Sequence, residues 1–196
     1  EFRLDGLMTG PPAAGDLNAD GTPDFVVGAS SGKVYALSGR DGFLLWMQRD
    51  AGPSARPAAT LADLDRDGLP DAVTASPQGA LVALSGRNGA VLWRGKIARP
   101  MHAAPALADL NGDGLADAVA TSTDACVSAF SGADGSLLWV ARAEGWIESS
   151  PALADLDGDG AADAVVSTMA GTVAAYSGRT GAPLWRFRTD GVIRGS

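Results

Sequence analysis

Apolar residues in this chain occur in short runs separated by turn-forming residues, and the arrangement repeats four times. In the first repeat the runs lie within residues 12–17, 25–30, 33–38 and 44–46. None of them shows the 3.6-residue period of a helix over three turns. Short apolar runs between turns rich in Gly, Asp and Asn are typical of antiparallel hairpins. The sequence therefore predicts an all-β chain with four strands in each repeat.

A polar segment of nine residues separates the first and second runs of every repeat, and it fixes the period. Its four copies occupy residues 16–24, 63–71, 109–117 and 155–163, so their first residues are 47, 46 and 46 apart. A fixed period of this size indicates an array of one structural unit. Four-stranded antiparallel units repeated radially make a β-propeller, in which each blade buries its faces against its neighbours.

We place the four predicted blades at about residues 11–50, 57–97, 103–143 and 149–190. Residues 2–6 match residues 187–191 in sequence, so residues 1–6 are predicted to be the tail of a preceding blade's last strand. Open blade edges invite pairing with further strands. We therefore expect a homodimer that forms an eight-bladed ring, or a chain that is part of a longer propeller, with a self-closed four-bladed ring as the remaining possibility.

Two apolar positions are identical in all four repeats and lie ten residues apart. They are Ala36 and Trp46, Ala83 and Trp93, Ala129 and Trp139, and Ala175 and Trp185. An alanine that never changes next to a large ring predicts a close contact with no room for more than a methyl group.

Each polar segment places oxygen-bearing side chains at positions 1, 3, 5 and 9 and a glycine at position 6. Hard oxygen ligands on alternate residues around a glycine turn suit Ca²⁺. We therefore predict up to four calcium ions, each held by these four side chains and by the carbonyl of position 7. The predicted ligands are Asp16, Asn18, Asp20, Thr22 and Asp24; Asp63, Asp65, Asp67, Leu69 and Asp71; Asp109, Asn111, Asp113, Leu115 and Asp117; and Asp155, Asp157, Asp159, Ala161 and Asp163.

The loops are not EF-hands, because an EF-hand needs glutamate at position 12. That position falls inside the predicted second strand and is occupied by Val27, Thr74, Ala120 and Val166. The carboxylate at position 9 is expected to close the loop instead. Three or four carboxylates in one loop repel one another without a cation, so we predict that calcium has a structural role.

The charge of the chain follows from these loops. They hold 14 of the 23 acidic residues, and the remaining nine are outnumbered by 15 lysines and arginines. Four calcium ions would neutralise the formal net charge of -8. The basic residues are scattered, so we expect no nucleic-acid partner. No apolar run approaches the roughly 18 residues that cross a bilayer, so we expect no membrane span.

The repeats resemble two known propeller families. The polar loops, each followed by a strand, resemble the calcium-binding FG-GAP repeats, also called VCBS-type repeats, of integrin α-subunit heads. Residues 36–46 (ALSGRDGFLLW) and their equivalents resemble the tryptophan-docking repeat of quinoprotein dehydrogenases and BamB-like assembly proteins, with the pattern Ala-x-Asp-x-x-x-Gly-x-x-x-Trp. Serine stands at the aspartate position of that pattern, as Ser38, Ser85, Ser131 and Ser177. Together the resemblances cover nearly the whole chain and imply a calcium-binding propeller.

The chain shows no catalytic signature, because it has one histidine and no phosphate-binding glycine loop. Positions that vary among repeats often bind ligands, so we predict four ligand-facing linker residues: Arg56, His102, Trp146 and Glu148. We expect a non-enzymatic scaffold that binds protein or glycan. The alternative is a fragment of a propeller enzyme, either quinoprotein dehydrogenase-like or polysaccharide lyase-like.

The predicted calcium sites also bear on location. Loops of this kind need roughly millimolar calcium, which is available outside cells. We therefore expect a secreted, periplasmic or extracellular protein, although residues 1–196 contain no leader pattern.

Overall fold

The computed structural model describes residues 6–8, 10–49, 59–76, 78–96, 100–101, 103–189 and 191, which form sixteen strands in four sheets. We call these sheets blades 1 to 4 in chain order. Blades 1 and 2 contain Ala13–Gly15 (β1), Asp24–Gly28 (β2), Val34–Leu37 (β3), Leu44–Gln48 (β4), Ala59–Ala62 (β5), Asp71–Ala75 (β6), Ala80–Leu84 (β7) and Val91–Lys96 (β8). Blades 3 and 4 contain Ala106–Ala108 (β9), Asp117–Thr121 (β10), Cys126–Phe130 (β11), Leu137–Arg142 (β12), Ala152–Ala154 (β13), Asp163–Ser167 (β14), Thr172–Tyr176 (β15) and Pro183–Arg188 (β16).

Every blade is an antiparallel meander in which strands that are consecutive in sequence pair side by side. Neighbouring blades contact one another most through their first strands, in the order β1, β5, β9 and β13. The first strands therefore lie innermost and the fourth strands outermost, as in a propeller. This arrangement confirms the predicted all-β fold with four-stranded blades.

The outermost strands are longer than the apolar pattern predicts. The predicted runs end at the tryptophan, whereas β4 continues to Gln48 and β8 to Lys96. The added residues pair with the beginning of the third strand, since Gln48 lies opposite Val34 and Lys96 opposite Ala80. Ladder pairing therefore extends the strand beyond the point where the apolar run stops.

Three of the four core clusters in the described residues lie between blades, and the fourth, around Val27, Ala29 and Tyr35, lies within blade 1. In the first interface, Leu17 and Trp46 of blade 1 pack with Ala72, Val82 and Leu84 of blade 2. The other two interfaces repeat this composition. Because one sheet cannot bury both of its faces alone, the interfaces supply most of the apolar burial.

The invariant alanine and tryptophan face each other directly across the two outer strands. Ala36 is the register partner of Trp46, and the same pairing recurs in each of the other three blades. All four of these alanines are fully buried. In blades 1 to 3 the alanine and the tryptophan also share a core cluster, so the predicted contact is present there.

Each tryptophan of blades 1 to 3 donates a hydrogen bond into the next blade. Trp93 Nε1 donates to the Gly132 carbonyl at 2.6 Å, and the ring covers Gly135. Trp46 and Trp139 make the same bond at 2.5 Å to Gly86 and Gly178. The tryptophan thus joins neighbouring blades and fixes their spacing.

Some predicted features fall outside the described residues. They include residues 1–5 of the predicted strand tail and the ligand-facing residues Arg56 and His102. Within the part of the chain that is described, no helix is long and apolar enough to cross a bilayer.

We predict that Trp93→Phe destabilises the protein. The substitution leaves the buried Gly132 carbonyl without its donor and opens space at the interface, so we expect a loss of about 1–3 kcal/mol in the free energy of unfolding. The matched control is Trp146→Phe, because Trp146 is 65% exposed. Chemical denaturation of both variants measures the difference, and equal losses would show that the interface bond is unimportant.

Candidate metal centre

The four polar loops lie at one end of the propeller. Each connects the first and second strands of its blade, and the turn between the third and fourth strands lies at the same end. In blade 2 these two connections are residues 63–70 and 85–90. The turn between the second and third strands and the linker to the next blade lie at the opposite end. The topology therefore brings each loop beside one turn of its own blade.

The aspartate at position 9 joins the loop to that turn. In blade 2 the fully buried Asp71 accepts the Leu64 amide at 2.8 Å through Oδ2 and the Gly86 amide at 2.9 Å through Oδ1. Position 9 of the other blades, Asp24, Asp117 and Asp163, makes the same two bonds and is equally buried. This residue has a structural role even without a metal.

The aspartate at position 1 folds the loop around itself. Asp63 accepts the Arg66 amide at 2.7 Å through Oδ1 and the Gly68 amide at 3.0 Å through Oδ2. Gly68 has φ = 84°, in the left-handed region that glycine adopts without strain. Arg66 also has a positive φ, 62°. Backbone amides pointing at one carboxylate thus set the turn that the sequence predicted.

Carboxylate oxygens converge in two of the loops. One oxygen each of Asp63, Asp65 and Asp71 lies within 4.8 Å of the others, and so do those of Asp155, Asp157 and Asp159. Burial raises the pKa of Asp71 above its ordinary value, and the negative charges of Asp65 and Asp67 raise it further. The first group includes the buried Asp71, whereas the three residues of the second are exposed. Clustered carboxylate oxygens suit a hard divalent cation such as Ca²⁺.

In loops 1 and 3 asparagine takes position 3 in place of aspartate, and it changes the donor set. The Asn111 Nδ2 amide donates to Asp113 Oδ2 at 2.9 Å and to Asp117 Oδ1 at 3.4 Å. This side chain amide therefore links two carboxylates that a cation would also link. The carbonyl oxygen of Asn111 accepts the Asp113 amide at 2.8 Å.

An arginine in the neighbouring turn faces position 5 in three blades. Arg87 Nε lies 2.9 Å from Asp67 Oδ2, and Arg179 Nε lies 3.0 Å from Asp159 Oδ2. The bond from Arg87 holds the pKa of Asp67 below its ordinary value. Arg40 is farther from Asp20, at 4.0 Å, and blade 3 has alanine at this position. The loops therefore differ in the positive charge beside them.

The predicted metal residues therefore separate by role. In loop 2 the side chains of Asp63, Asp65 and Asp71 come together, and in loop 4 those of Asp155, Asp157 and Asp159 do, whereas Asp67 and Asp163 are not part of these groups. In loops 1 and 3 the predicted side chains accept hydrogen bonds from loop amides, and their role as ligands stays a prediction. The carbonyls at position 7, of Thr22, Leu69, Leu115 and Ala161, stay predicted ligands. The sequence did not reveal that position 9 also anchors the adjacent turn.

Two of the predicted ligand-facing residues, Trp146 and Glu148, lie at the end opposite the loops. Trp146 is exposed, and its carbonyl accepts the Met169 amide at 2.8 Å, which ties the linker to blade 4. Glu148 is also exposed. With Arg56 and His102 outside the described residues, the structure places only these two of the four.

Sequence reasoning missed a cavity of about 550 Å³ between blades 3 and 4. Its lining includes Tyr176, Arg142, Arg186 and Glu144. Glu144 pairs with Arg186 and with Arg188, and the hydrogen bond from Arg188 holds the pKa of Glu144 below its ordinary value. The sequence signal for this cavity was the Glu144 position, which lies in a linker and holds a different residue type in every repeat.

Comparison with protein families identifies the repeats. The family model described as an FG-GAP-like repeat matches residues 16–74 and 63–120, which together make up more than half of the chain. The model described as outer membrane protein assembly factor BamB matches residues 114–196. No curated protein sequence matches the chain.

Solved structures support the same fold. BamB from Moraxella catarrhalis is 19% identical with a TM-score of 0.59, over 99% of this chain and 68% of BamB. BBS1N, crystallised in complex with ARL6DN, is 15% identical with a TM-score of 0.69, over 98% of this chain and 58% of BBS1N. The computationally designed Ika8 protein is 15% identical with a TM-score of 0.60, over 95% of this chain and 63% of Ika8. The chain thus spans less than two thirds of the last two proteins.

We predict that Asp71→Asn destabilises the metal-free protein and that Asp65→Asn does not. An amide at position 71 can accept only one of the two backbone donors, so we expect a loss of about 1.5–3 kcal/mol. Asp65 is exposed and accepts one amide, from Asp67 at 3.1 Å, which an asparagine oxygen retains. Its expected loss is below about 0.5 kcal/mol. Urea denaturation in EDTA measures both, and equal losses would contradict the anchoring role of position 9.

Proposed function

We propose that this chain, which belongs to the FG-GAP-like repeat family, is a calcium-stabilised, non-enzymatic β-propeller scaffold. The observation that carries the proposal is the convergence of carboxylate oxygens in two of the loops, in one of which the group includes the buried position 9 residue Asp71. The same pattern of oxygen-bearing residues recurs in the other two loops. Burying negative charge costs free energy unless a positive charge compensates it. A calcium ion in each loop supplies that charge.

The residues at positions 1, 3, 5 and 9 would hold the ion, with the position 7 carbonyl as a further ligand. Calcium would offset the repulsion between the carboxylates and draw the loop together. Position 9 transmits this ordering, because Asp71 also holds Gly86, whose carbonyl receives Trp46 of the preceding blade. Metal binding and blade docking are thus parts of one stabilising network.

We assign the binding of a protein or glycan ligand to the end opposite the loops. Trp146 and Glu148 are exposed there, and the predicted ligand residues Arg56 and His102 occupy the same linkers of other repeats. An exposed indole beside a carboxylate suits either a peptide or a sugar ring. The fold neighbour BBS1N was crystallised with a protein partner, which supports protein binding by a propeller surface.

Location outside the cytosol, in the periplasm or beyond, follows from the proposed calcium requirement. It also agrees with the match to an outer membrane assembly factor model over residues 114–196. For assembly we propose that further blades complete the ring, supplied by a second copy or by a longer parent chain.

We predict that calcium raises the melting temperature and that EDTA lowers it. Ligand at 100 times its dissociation constant stabilises a protein by about 2.7 kcal/mol per site, so we expect a shift of at least about 5 °C. Differential scanning fluorimetry with calcium, magnesium and EDTA measures the shift, and elemental analysis counts the bound ions. The variant Asp65→Asn should reduce the calcium-dependent shift without changing the melt in EDTA. Identical melts in calcium and EDTA would refute the calcium proposal.

We predict that Trp146→Ala abolishes ligand capture while the fold is retained. A glycan array and a pull-down with soluble extracellular extracts identify the ligand class for the wild-type chain. Val140→Ala is the matched control, because Val140 is an exposed apolar residue on the outer strand β12. Equal binding by both variants would show that the ligand site does not include Trp146.

The enzyme alternative has its own test. A change in the absorbance spectrum of the protein on adding a quinone with calcium would favour a quinoprotein-like enzyme.

A further inference from the structure

The three interfaces between blades provide a template for what each blade edge binds. In all of them a tryptophan and a leucine of one blade are buried against the following blade: Trp46 with Leu17, Trp93 with Leu64, and Trp139 with Leu110. The equivalent residues of blade 4 are exposed instead, Trp185 by 44% and Leu156 by 43%. Phe187 beside them is also exposed. We call Leu156, Trp185 and Phe187 the plug edge.

Blade 1 carries the complementary seat. Gly89, Gly135 and Gly181 lie so close under a tryptophan that an added Cβ would be 2.6–2.7 Å from the ring. Gly42 has the same backbone conformation, with φ = 73°, but no described atom lies within 4 Å of its Cβ position. It is exposed whereas the other three are buried.

Other residues at this edge of blade 1 are exposed, unlike their equivalents in other blades. Gly39 is exposed, whereas its equivalents Gly86, Gly132 and Gly178 are buried. Met8 is 48% exposed, whereas Met101 and Ile147 at the same linker position are buried. We call Met8, Leu37, Gly39 and Gly42 the seat edge. The turn at this edge is held as in the other blades, because the Gly39 amide donates to Asp24 Oδ1 at 3.0 Å and the equivalent glycine amides make the same bond.

Side-chain size also matches the two edges. In two of the three interfaces, the residue two positions after the tryptophan is small and faces an aromatic residue in the third strand of the next blade: Gly95 lies against the ring of Phe130, and Ala141 shares a core cluster with Tyr176. The first interface differs, because Gln48 holds this position and donates to the Gly89 carbonyl at 3.0 Å. At the two exposed edges the large and the small residue have changed sides. The plug edge offers the aromatic Phe187, and the seat edge offers the smaller Leu37.

We infer that the plug edge of one copy docks on the seat edge of a second copy. Trp185 Nε1 then donates to the Gly39 carbonyl of the second copy, and its ring covers Gly42 there. A two-fold axis makes this contact twice and closes a ring of eight blades, which is within the range of propellers. Docking covers both exposed apolar edges, which a monomer would leave in contact with water.

This inference deepens the assembly part of the proposed function and does not depend on its calcium part. Size-exclusion chromatography with light scattering, in calcium and again in EDTA, separates the two. A mass of twice 19.7 kDa is expected. A monomer in both buffers, or an open series of larger oligomers, would overturn the inference whether or not calcium stabilises the fold.

Two variants test the edges separately. Trp185→Ala removes the plug, and Gly42→Ala places a methyl group where the ring docks. Because the contact occurs twice, we expect each variant to raise the dimer dissociation constant about 100-fold or more. Trp146→Ala is the control for loss of an exposed indole and should remain dimeric. Circular dichroism verifies that each variant is folded.

Mixing the two variants provides the decisive measurement. A heterodimer joins the intact Trp185 of one chain to the intact Gly42 of the other, so one of the two contacts is restored. We expect differently tagged Trp185→Ala and Gly42→Ala chains to co-purify more strongly than either variant with itself. If a variant does not fold, Phe187→Ser with the same mixing design replaces Trp185→Ala. Folded variants that remain fully dimeric, or that show no recovery on mixing, would overturn the inference.

Discussion

The buried aspartate at position 9 is the constraint on which the rest of this propeller depends. Each such carboxylate is removed from water, and it is retained there because backbone amides from two separate connections point at its two oxygens. One amide belongs to the polar loop between the first two strands. The other belongs to the glycine of the turn between the last two strands. A single side chain therefore sets the distance between the inner and the outer half of a blade.

This aspartate also explains how two repeat families coexist in one chain. The FG-GAP-like model matches within residues 16–120 and the BamB model matches residues 114–196, yet every blade carries both the polar loop and the tryptophan. They meet at one glycine: in blade 2, the Gly86 amide is held by Asp71 while its carbonyl receives Trp46. The serine that replaces the usual aspartate of the docking repeat is buried at Ser85 and begins the same turn. The anchoring carboxylate thus comes from the loop.

Much of this architecture was predictable because the same residue pattern occurs in all four repeats. The period, the strand count, the close contact of Ala36 with Trp46 and the clustering of loop oxygens all follow from local patterns. The dual role of Asp71 did not, since it depends on an amide 15 residues away that carries no side-chain signal. The cavity beside Glu144 was missed for a similar reason, because it depends on how two blades meet.

Because the fourth-strand tryptophan of blades 1 to 3 docks on a glycine-containing turn of the following blade, these contacts all run in one direction along the chain. Each repeat carries both the tryptophan and the glycine-containing turn, so a duplicated repeat already has both halves of the contact between blades. Gene duplication can therefore lengthen or shorten such an array by whole blades without inventing a new interface, and only the local sizes of residues such as Gly95 and Phe130 then need adjustment. The head-to-tail contact makes blade number an evolvable quantity, and it leaves every array with one complementary pair of ends.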